Sequence, residues 1–314
     1  MANFWPDIPY PPWAPTCSAL HLWAQIVGKY RLARTPWLNH SWHAALYVDA
    51  GGLTTGLVPD GTQAVTVRFD LRTHRLAMRA SSGATSEFAL EPMSVADFHR
   101  RFLQGIRAVG GTAVFRGHPN EMPQAIAFAQ DDRPRPYERS AVERFHQALV
   151  NIAGVLGRFR SGFIGKSSPV HLFWGSFDLA VTRFSGRVAP SHPGGIANLP
   201  DAVTREAYSH EVSSAGFWPG GQGIDYPAFY SYAYPTPTGF EDARIEPSSA
   251  FFHRPLGEFI LKYDDVRVAD HPEAVLMSFL ETTYRAAAER GHWDRAALEC
   301  EIGVAARPRA VHWA

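Results

Sequence analysis

The chain lacks the features that mark several classes of protein. Its two cysteines, Cys17 and Cys300, lie near opposite ends without a CxxC motif, so neither a disulfide framework nor a thiolate zinc site is supported. Neither sign of charge is in excess: 30 Lys and Arg residues face 30 Asp and Glu residues. Proteins that bind nucleic acid by neutralising phosphates are normally basic, so this class is not expected. The neutral net charge by itself gives no partner preference.

Two kinds of hydrophobic segment are also missing. No run approaches the roughly 18 apolar residues of a membrane span. Residues 1–15 are rich in Pro and Trp and lack the basic and apolar regions of a secretory signal. We therefore expect a cytoplasmic protein with no membrane partner, and the sequence leaves its oligomeric state open.

What is present supports a large folded core. Of the 314 residues, 46% are hydrophobic and 13% are aromatic, which is unlike a disordered chain. Apolar residues at helical spacing predict helices over 16–34, 94–109, 138–162 and 272–290. Thr16 and Ser94 are the expected N-caps of the first two helices, and the first helix carries His21, Gln25 and Lys29 on its polar face. Alternating patterns between turn residues predict strands over 43–49, 64–70, 74–80, 86–90, 169–184, 208–215, 228–234 and 257–263.

The order of these elements predicts the fold class. Strands come in runs between the helices, which favours an α+β fold with mainly antiparallel sheets flanked by helices. The Pro-rich, charged stretch 116–136 is the expected linker. It separates an N-terminal helix–sheet–helix half, 1–115, from a C-terminal half, 137–300, that carries the candidate site, and 301–314 form a tail. The two halves repeat one order of elements with little residue identity, so tandem duplication and two unrelated halves both stay open.

The fourteen histidines are the first chemical signal. His43, His171, His210 and His253 come from separate segments that a sheet can bring together, and Glu211 adds a carboxylate. Imidazole and carboxylate ligands bind Zn, Fe or Mn. The leading prediction is therefore a metal-dependent enzyme of hydrolytic or oxidative chemistry. One objection is that neighbours on a regular strand, such as His210 and Glu211, point to opposite faces.

The same segments also permit an enzyme without a metal. Glu211 or Asp178 would act with a histidine as base and acid, and Arg183 or Lys166 would hold an anionic substrate. A single strand over 169–184 places Asp178 and Arg183 on opposite faces. Both residues also have structural interpretations, Asp178 as an acceptor for backbone N–H groups and Arg183 as its ion-pair partner.

Aromatic side chains suggest a third function. The candidates for a pocket wall are Tyr230, Tyr232, Tyr234, Trp174 and Trp218. Such rings, with their hydroxyl groups, can line the pocket of a non-catalytic protein that binds a small aromatic or apolar ligand, although ordinary core packing explains them too. The long Gly/Pro-rich loops 185–207 and 216–227 can close over a ligand, and His192 lies in the first of them.

Two long Trp-containing strings carry a resemblance to a known family. Residues 174–187 read WGSFDLAVTRFSGR and residues 209–221 read SHEVSSAGFWPGG. With these strings, the chain from about Trp5 to Ala297 resembles a family of bacterial proteins catalogued only as a domain of unknown function. The resemblance implies no activity, cofactor or catalytic residue, so the functional argument depends on the chemistry of the residues.

Overall fold

The computed structural model describes residues 5–221 and 223–309. It contains two antiparallel sheets with flanking helices, which confirms the predicted α+β class. The helices of the described residues are α1 (Tyr10–Leu32), α2 (Val95–Ala108), α3 (Arg139–Ser161), α4 (Asp201–Ala207), α5 (Tyr263–Arg267), α6 (Pro272–Arg290) and α7 (Arg295–Leu298). The strands are β1 (Tyr47–Val48), β2 (Gly52–Thr54), β3 (Val58–Asp60), β4 (Gln63–Asp70), β5 (Arg75–Ala80), β6 (Thr85–Ala89), β7 (His171–Phe173), β8 (Asp178–Val188), β9 (His210–Trp218), β10 (Ala228–Tyr234), β11 (Phe251–His253) and β12 (Glu258–Lys262).

Local sequence signals explain most helix ends. Ser94 caps α2 by accepting a hydrogen bond from the backbone N–H of Asp97 at 3.0 Å. Helix α6 has its predicted bounds, with a proline in its first turn and a glycine directly after its end. Helix α1 begins six residues before the predicted start. Pro11 and Pro12 lie in its first turn, which needs no intrahelical N–H donors, and Pro15 lies inside the helix. Thr16 is therefore not an N-cap: it lies inside α1 and accepts a hydrogen bond from the backbone N–H of Glu138.

The first sheet pairs β1, β2, β4, β5 and β6 in that order, with β3 also on β4. One of its faces packs against α1 and α2. At this contact the ring of Phe98 stacks on Trp23 of α1 and on Phe69 of β4, with ring centroids 4.9 and 6.1 Å apart. The first sheet therefore contributes its buried side chains to the apolar core.

The second sheet has the order β11-β12-β10-β9-β8-β7. The single strand predicted over 169–184 is wrong: β7 and β8 form a hairpin in which Phe173 pairs with Asp178. The chain reverses at residues 174–177, where Phe177 has a positive φ of 61° and its N–H bonds to the carbonyl of Phe173. The sequence patterns also did not predict six short elements, all of seven residues or fewer: α4, α5, α7, β2, β3 and β11.

Side-chain alternation gives the second sheet two different faces. Val181, Phe217 and Phe229 point to the face that packs into the main apolar core with α3 and α6. The even-numbered residues of β8, β9 and β10 point to the other face. That face is covered by residues 189–208, which include α4 and are called the roof below.

One apolar cluster of buried side chains contains residues of α1, of both sheets and of the helices α2, α3 and α6. The indole of Trp174, in the β7–β8 turn, donates a hydrogen bond to the carbonyl of Ala44 in the N-terminal half at 2.8 Å. The division of the chain into two halves stays a prediction. Within the part of the chain that the structure describes, no helix is long and apolar enough to cross a membrane.

Candidate active site

A cavity of about 440 Å³ lies between the second sheet and the roof. Its volume is typical of small-molecule sites. The sheet supplies a floor made of Asp178, Ala180, Thr182, Phe184, Val212, Ser214, Tyr230 and Tyr232. The roof supplies Ile196, Leu199, Pro200, Val203, Thr204, Ala207 and Tyr208. The walls are therefore mainly apolar and aromatic, with a few polar groups among them.

The floor holds a buried carboxyl group in a fixed position. Asp178 begins β8, and its two oxygens accept hydrogen bonds from the hydroxyl groups of Tyr230 and, at 2.6 Å, Ser176. Tyr230 belongs to β10 and reaches Asp178 across β9, where Gly216 pairs with both Tyr230 and Ala180. A Cβ at residue 216 would overlap the Tyr230 ring. Glycine is needed here because any side chain would separate the tyrosine from the carboxyl group.

Hydroxyl pairs complete the floor. The Tyr208 hydroxyl of the roof lies 2.8 Å from the Tyr232 hydroxyl, and Thr182 Oγ1 lies 2.8 Å from Ser214 Oγ. Burial raises the pKa of Tyr208 to about 12 and raises the pKa of Tyr232 well above its ordinary value. Both phenols are therefore neutral near pH 7 and act as hydrogen-bond donors and acceptors.

A charged end of the cavity is built by α1 and by the loop after residue 115. Lys29 of α1 donates a hydrogen bond from Nζ to Asn120 Oδ1 at 2.6 Å. Gln25, one turn earlier, accepts from the backbone N–H of Asn120 at 2.7 Å and donates to its carbonyl at 3.0 Å. Arg116 and Glu121 complete this end. The fully buried amide of Gln25 thus holds the loop against the helix and sets the position of Glu121.

Glu121 has the properties of a functional carboxyl group. It lines the cavity and, among the described residues, its carboxylate has no hydrogen-bond partner. Its φ of 58° is unusual for a residue other than glycine, and such strain is often found at functional sites. Burial and the nearby Asp178 raise its pKa to about 7, while Lys29 opposes the shift. The side chain lies against Gly175, where a Cβ would overlap Oε1.

Two further carboxyl groups in this region also have raised pKa values. Burial raises the pKa of Asp178, against the effect of the Ser176 and Tyr230 hydroxyls. Burial and the charge of Asp178 raise the pKa of Glu258, on β12, to about 8. Glu258 Oε2 is buried without a hydrogen-bond partner among the described residues. Three carboxyl groups that resist ionisation thus surround the tyrosines of the floor.

A second polar cluster stands beside the cavity. His40 lines it and has a positive φ of 59°. Its Nδ1 lies 2.7 Å from the Ala207 carbonyl, and its Nε2 lies 2.5 Å from Lys166 Nζ. The carboxylate of Glu206 accepts a hydrogen bond from the backbone N–H of His40 at 2.9 Å. Burial lowers the pKa of both His40 and Lys166. The cluster joins α4 of the roof to residues 39–41.

Of the side chains predicted from sequence, four line the cavity: Asp178, Trp174, Tyr230 and Tyr232. Four others lie close to it without lining it. Trp218 packs on Tyr230 at 4.6 Å, His192 stacks on Tyr208 at 4.7 Å, and Tyr234 contacts both rings of that stack. Lys166 lies over the ring of Phe184 at 4.8 Å.

The structure places two predicted catalytic residues away from the cavity. Glu211 accepts hydrogen bonds from Arg187 and Ser185, on the face of β9 opposite to the cavity. Arg183 is buried under the sheet, with its guanidinium 3.6 Å from the ring centroid of Phe159 and a hydrogen bond to the carbonyl of that residue. Both residues occupy odd positions, and strand alternation directs odd positions away from the floor.

The predicted metal ligands are not brought together. His171 and His253 lie on β7 and β11, the opposite edges of a six-stranded sheet, about 24 Å apart at ordinary strand spacing. His43 Nδ1 accepts from the backbone N–H of Leu38 at 3.2 Å, and His210 bonds to its neighbour Ser209. In residues 5–221 and 223–309, no group of three or more His, Cys, Asp or Glu side chains could hold a metal ion. A metal requirement stays a prediction.

Three residues of the site were not predicted from the sequence: Glu121, Lys29 and Tyr208. Glu121 lies in the predicted linker, which folds back onto α1. The signal for Lys29 was present: His21, Gln25 and Lys29 recur every four residues on α1, and all three reach the site. On a helix that is buried almost throughout, such a polar stripe indicates a polar partner rather than solvent.

Comparison with known proteins adds one finding. The model of one family, described as a family of unknown function (DUF5996), matches residues 5–300. No curated protein and no solved structure matches the chain.

Proposed function

Because the chain belongs to this family of unknown function, we propose its function from the cavity alone: it is an enzyme that transfers protons to and from a small molecule with an apolar or aromatic body. This is the metal-free acid–base alternative of the sequence analysis, with Glu121 in place of Glu211. The mainly apolar walls suit the body of such a molecule, and the charged end suits a polar group.

The proposal depends on one observation, the state of Glu121. This carboxyl group lines the cavity, has no hydrogen-bond partner among the described residues, and has a pKa raised to about 7. A general base works best when its pKa is near the pH of the reaction. A merely structural carboxylate would be paired, as Asp131 is with Arg133 and Arg135.

The other polar groups have supporting roles. Asp178, with its raised pKa, is the acid partner, and Tyr230 holds its position. The guanidinium of Arg116 stabilises negative charge that develops on the substrate. Tyr208 and Tyr232 offer neutral hydroxyls to orient it.

The test measures proton transfer directly. Wild-type protein is incubated in deuterium oxide with aromatic and apolar carboxylic acids, ketones and aldehydes, and ¹H NMR follows the loss of C–H signals. We expect exchange in at least one compound, with a rate that rises through pH 7 as Glu121 ionises. Glu121→Gln should lower that rate by about 10²–10⁴-fold, the usual contribution of a general base.

Two further variants make the test specific. Gly175→Ala keeps the carboxyl group of Glu121 but changes its position, since a Cβ at residue 175 would overlap Glu121 Oε1. The exchange rate of this variant should therefore also fall. Glu301→Gln changes an exposed glutamate and should leave the rate unchanged. Compounds that bind in the cavity but are never exchanged or converted would contradict the proposal and identify a binding protein.

A further inference from the structure

Lysine is rare in this chain and is found at the site. Of the 30 Lys and Arg residues only three are lysines, at positions 29, 166 and 262. Lys29 lines the cavity, and Lys166 contacts His40 and Phe184 beside it. Lys262 is exposed. Arginine cannot lose its proton in proteins, whereas lysine can. The position of Lys29 therefore suits a role for an amine that arginine cannot fill.

The surroundings of Lys29 differ from those of an ordinary ion-paired lysine. Its residue is only 4% exposed. Nζ bonds to an amide oxygen, Asn120 Oδ1, and lies 5.5 Å from the ring centroid of Trp174. Its charge is opposed by Arg116 and favoured by Glu121. Amines that react with carbonyl compounds are typically desolvated or placed next to another cation, and Lys29 meets both conditions.

We infer that Lys29 forms an imine with the substrate, and that the substrate is therefore an aldehyde or ketone with an apolar or aromatic body. The inference rests on the proposed function, because it names the substrate class of the same cavity. Glu121 and Asp178 then act on the proton of the carbon next to the imine.

The chemistry balances without a further reactant. The Nζ lone pair attacks the carbonyl carbon, the carbonyl oxygen takes a proton from a carboxyl group, and the nitrogen gives one of its protons back to that carboxylate, which leaves a neutral carbinolamine. The nitrogen lone pair then expels the hydroxyl group, which takes a proton from the carboxyl group and leaves as water. The resulting iminium gives its remaining N–H proton to the carboxylate, so a neutral C=N bond remains and the carboxyl group is restored. Addition of water reverses these steps and releases the carbonyl compound. Glu121 is a suitable proton carrier because its pKa of about 7 populates both of its forms at neutral pH.

Imine formation requires the unprotonated amine of Lys29, and a substantial fraction of this group is unprotonated at neutral pH. Burial and Arg116 lower the pKa of Lys29 to about 8. At pH 7 about a tenth of such a group is unprotonated, against roughly one part in 2,500 for a lysine of ordinary pKa.

The experiment traps the imine. Full-length protein is mixed with benzaldehyde and sodium cyanoborohydride at pH 7, and the labelled peptides are identified by mass spectrometry. The reductant converts an imine to a stable secondary amine, so each labelled lysine gains one benzyl group. We expect Lys29 to be labelled at least about ten-fold faster than the exposed Lys262, as the fraction of free amine requires. Lys29→Arg should abolish labelling of residue 29 and leave that of Lys262 unchanged.

Each outcome decides the inference. Labelling of Lys29 no faster than Lys262, or labelling of Lys166 in its place, would overturn it. The wild-type measurement suffices for this, so a variant that fails to fold leaves the inference testable. If Lys29 stays unlabelled while deuterium exchange still depends on Glu121, the imine is wrong and the proposed function stands. If Lys29 is labelled but Glu121→Gln changes no rate, the proposed role of Glu121 is wrong.

Discussion

At the scale of single residues, the site is defined by carboxyl groups that the fold keeps from ionising. Glu121, Asp178 and Glu258 all have raised pKa values because burial disfavours their charged form. Each of these shifts lowers the stability of the folded protein at a pH where the unfolded chain would release the proton. Buried carboxyl groups of this kind therefore make the protein less stable as the pH rises.

Glu258→Gln tests this loss of stability at a carboxyl group that has no proposed catalytic role. The pKa of Glu258 is about 8 in the folded protein and about 4.3 for an ordinary glutamate. Between these values the folded state holds a proton that the unfolded state has lost, so the wild-type free energy of unfolding falls as the pH rises. Glutamine cannot ionise. We expect the variant to gain about 3.5 kcal/mol relative to wild type between pH 5 and pH 8.

The measurement is urea denaturation at several pH values. Glu301→Gln, an exposed glutamate, serves as the control and should follow the wild-type curve. A Glu258→Gln curve parallel to wild type across this range would show that Glu258 is ionised in the folded protein.

At the scale of elements, the roof determines access to the cavity. The roof is joined to the rest of the protein at several points. Glu206 accepts from the backbone N–H of His40, Tyr208 bonds to Tyr232, and Asn198 donates to the carbonyl of Met122 at 2.6 Å. These links come from different elements, so the roof can loosen at one end while the other stays in place.

Glu206→Ala should loosen the α4 end of the roof. The variant removes the hydrogen bond that the Glu206 carboxylate accepts from the backbone N–H of His40. Hydrogen bonds to charged groups contribute about 1.5–3 kcal/mol. We expect amide hydrogens of 196–207 to exchange about ten-fold faster in hydrogen–deuterium exchange mass spectrometry. Arg205→Ala is the matched control, because Arg205 bonds to Asp201, His192 and Pro193 within the roof itself. Equal acceleration in both variants would show that Glu206 does not anchor the roof.

The elements also show what a sequence can predict. The long helices α2, α3 and α6 and the strand β10 follow from periodicity, since each has enough residues to repeat its pattern. The four predicted residues that line the cavity are all in or next to the second sheet. Glu121 could not be predicted, because its place depends on the contact between Gln25 and Asn120, which are 95 residues apart. Local patterns carry no information on such a contact.

At the scale of the whole molecule, the core argues for one cooperative unit. The buried apolar cluster contains residues of both sheets, and α1 from the N-terminal half forms the charged end of a cavity whose floor belongs to the C-terminal half. Neither half has a complete cavity of its own. Cooperative unfolding is the usual result when one core spans a protein.

We therefore expect a single heat-absorption peak in differential scanning calorimetry, with matching calorimetric and van't Hoff enthalpies. Removing the bond between Trp174 and Ala44, for example with Trp174→Phe, should lower the midpoint of that one peak. Two separable peaks, only one of them moved by the substitution, would contradict a shared core and support the predicted division into halves.

The two faces of the second sheet have a consequence for divergence. On β8, β9 and β10, the side chains that pack into the core and those that line the cavity alternate one by one. Substitutions at floor positions such as Thr182 and Ser214 alter the shape of the cavity without removing apolar contacts under α3 and α6. The shape and polarity of the cavity can thus change during divergence at a small cost in stability, and mutant libraries aimed at the cavity should be confined to the even positions.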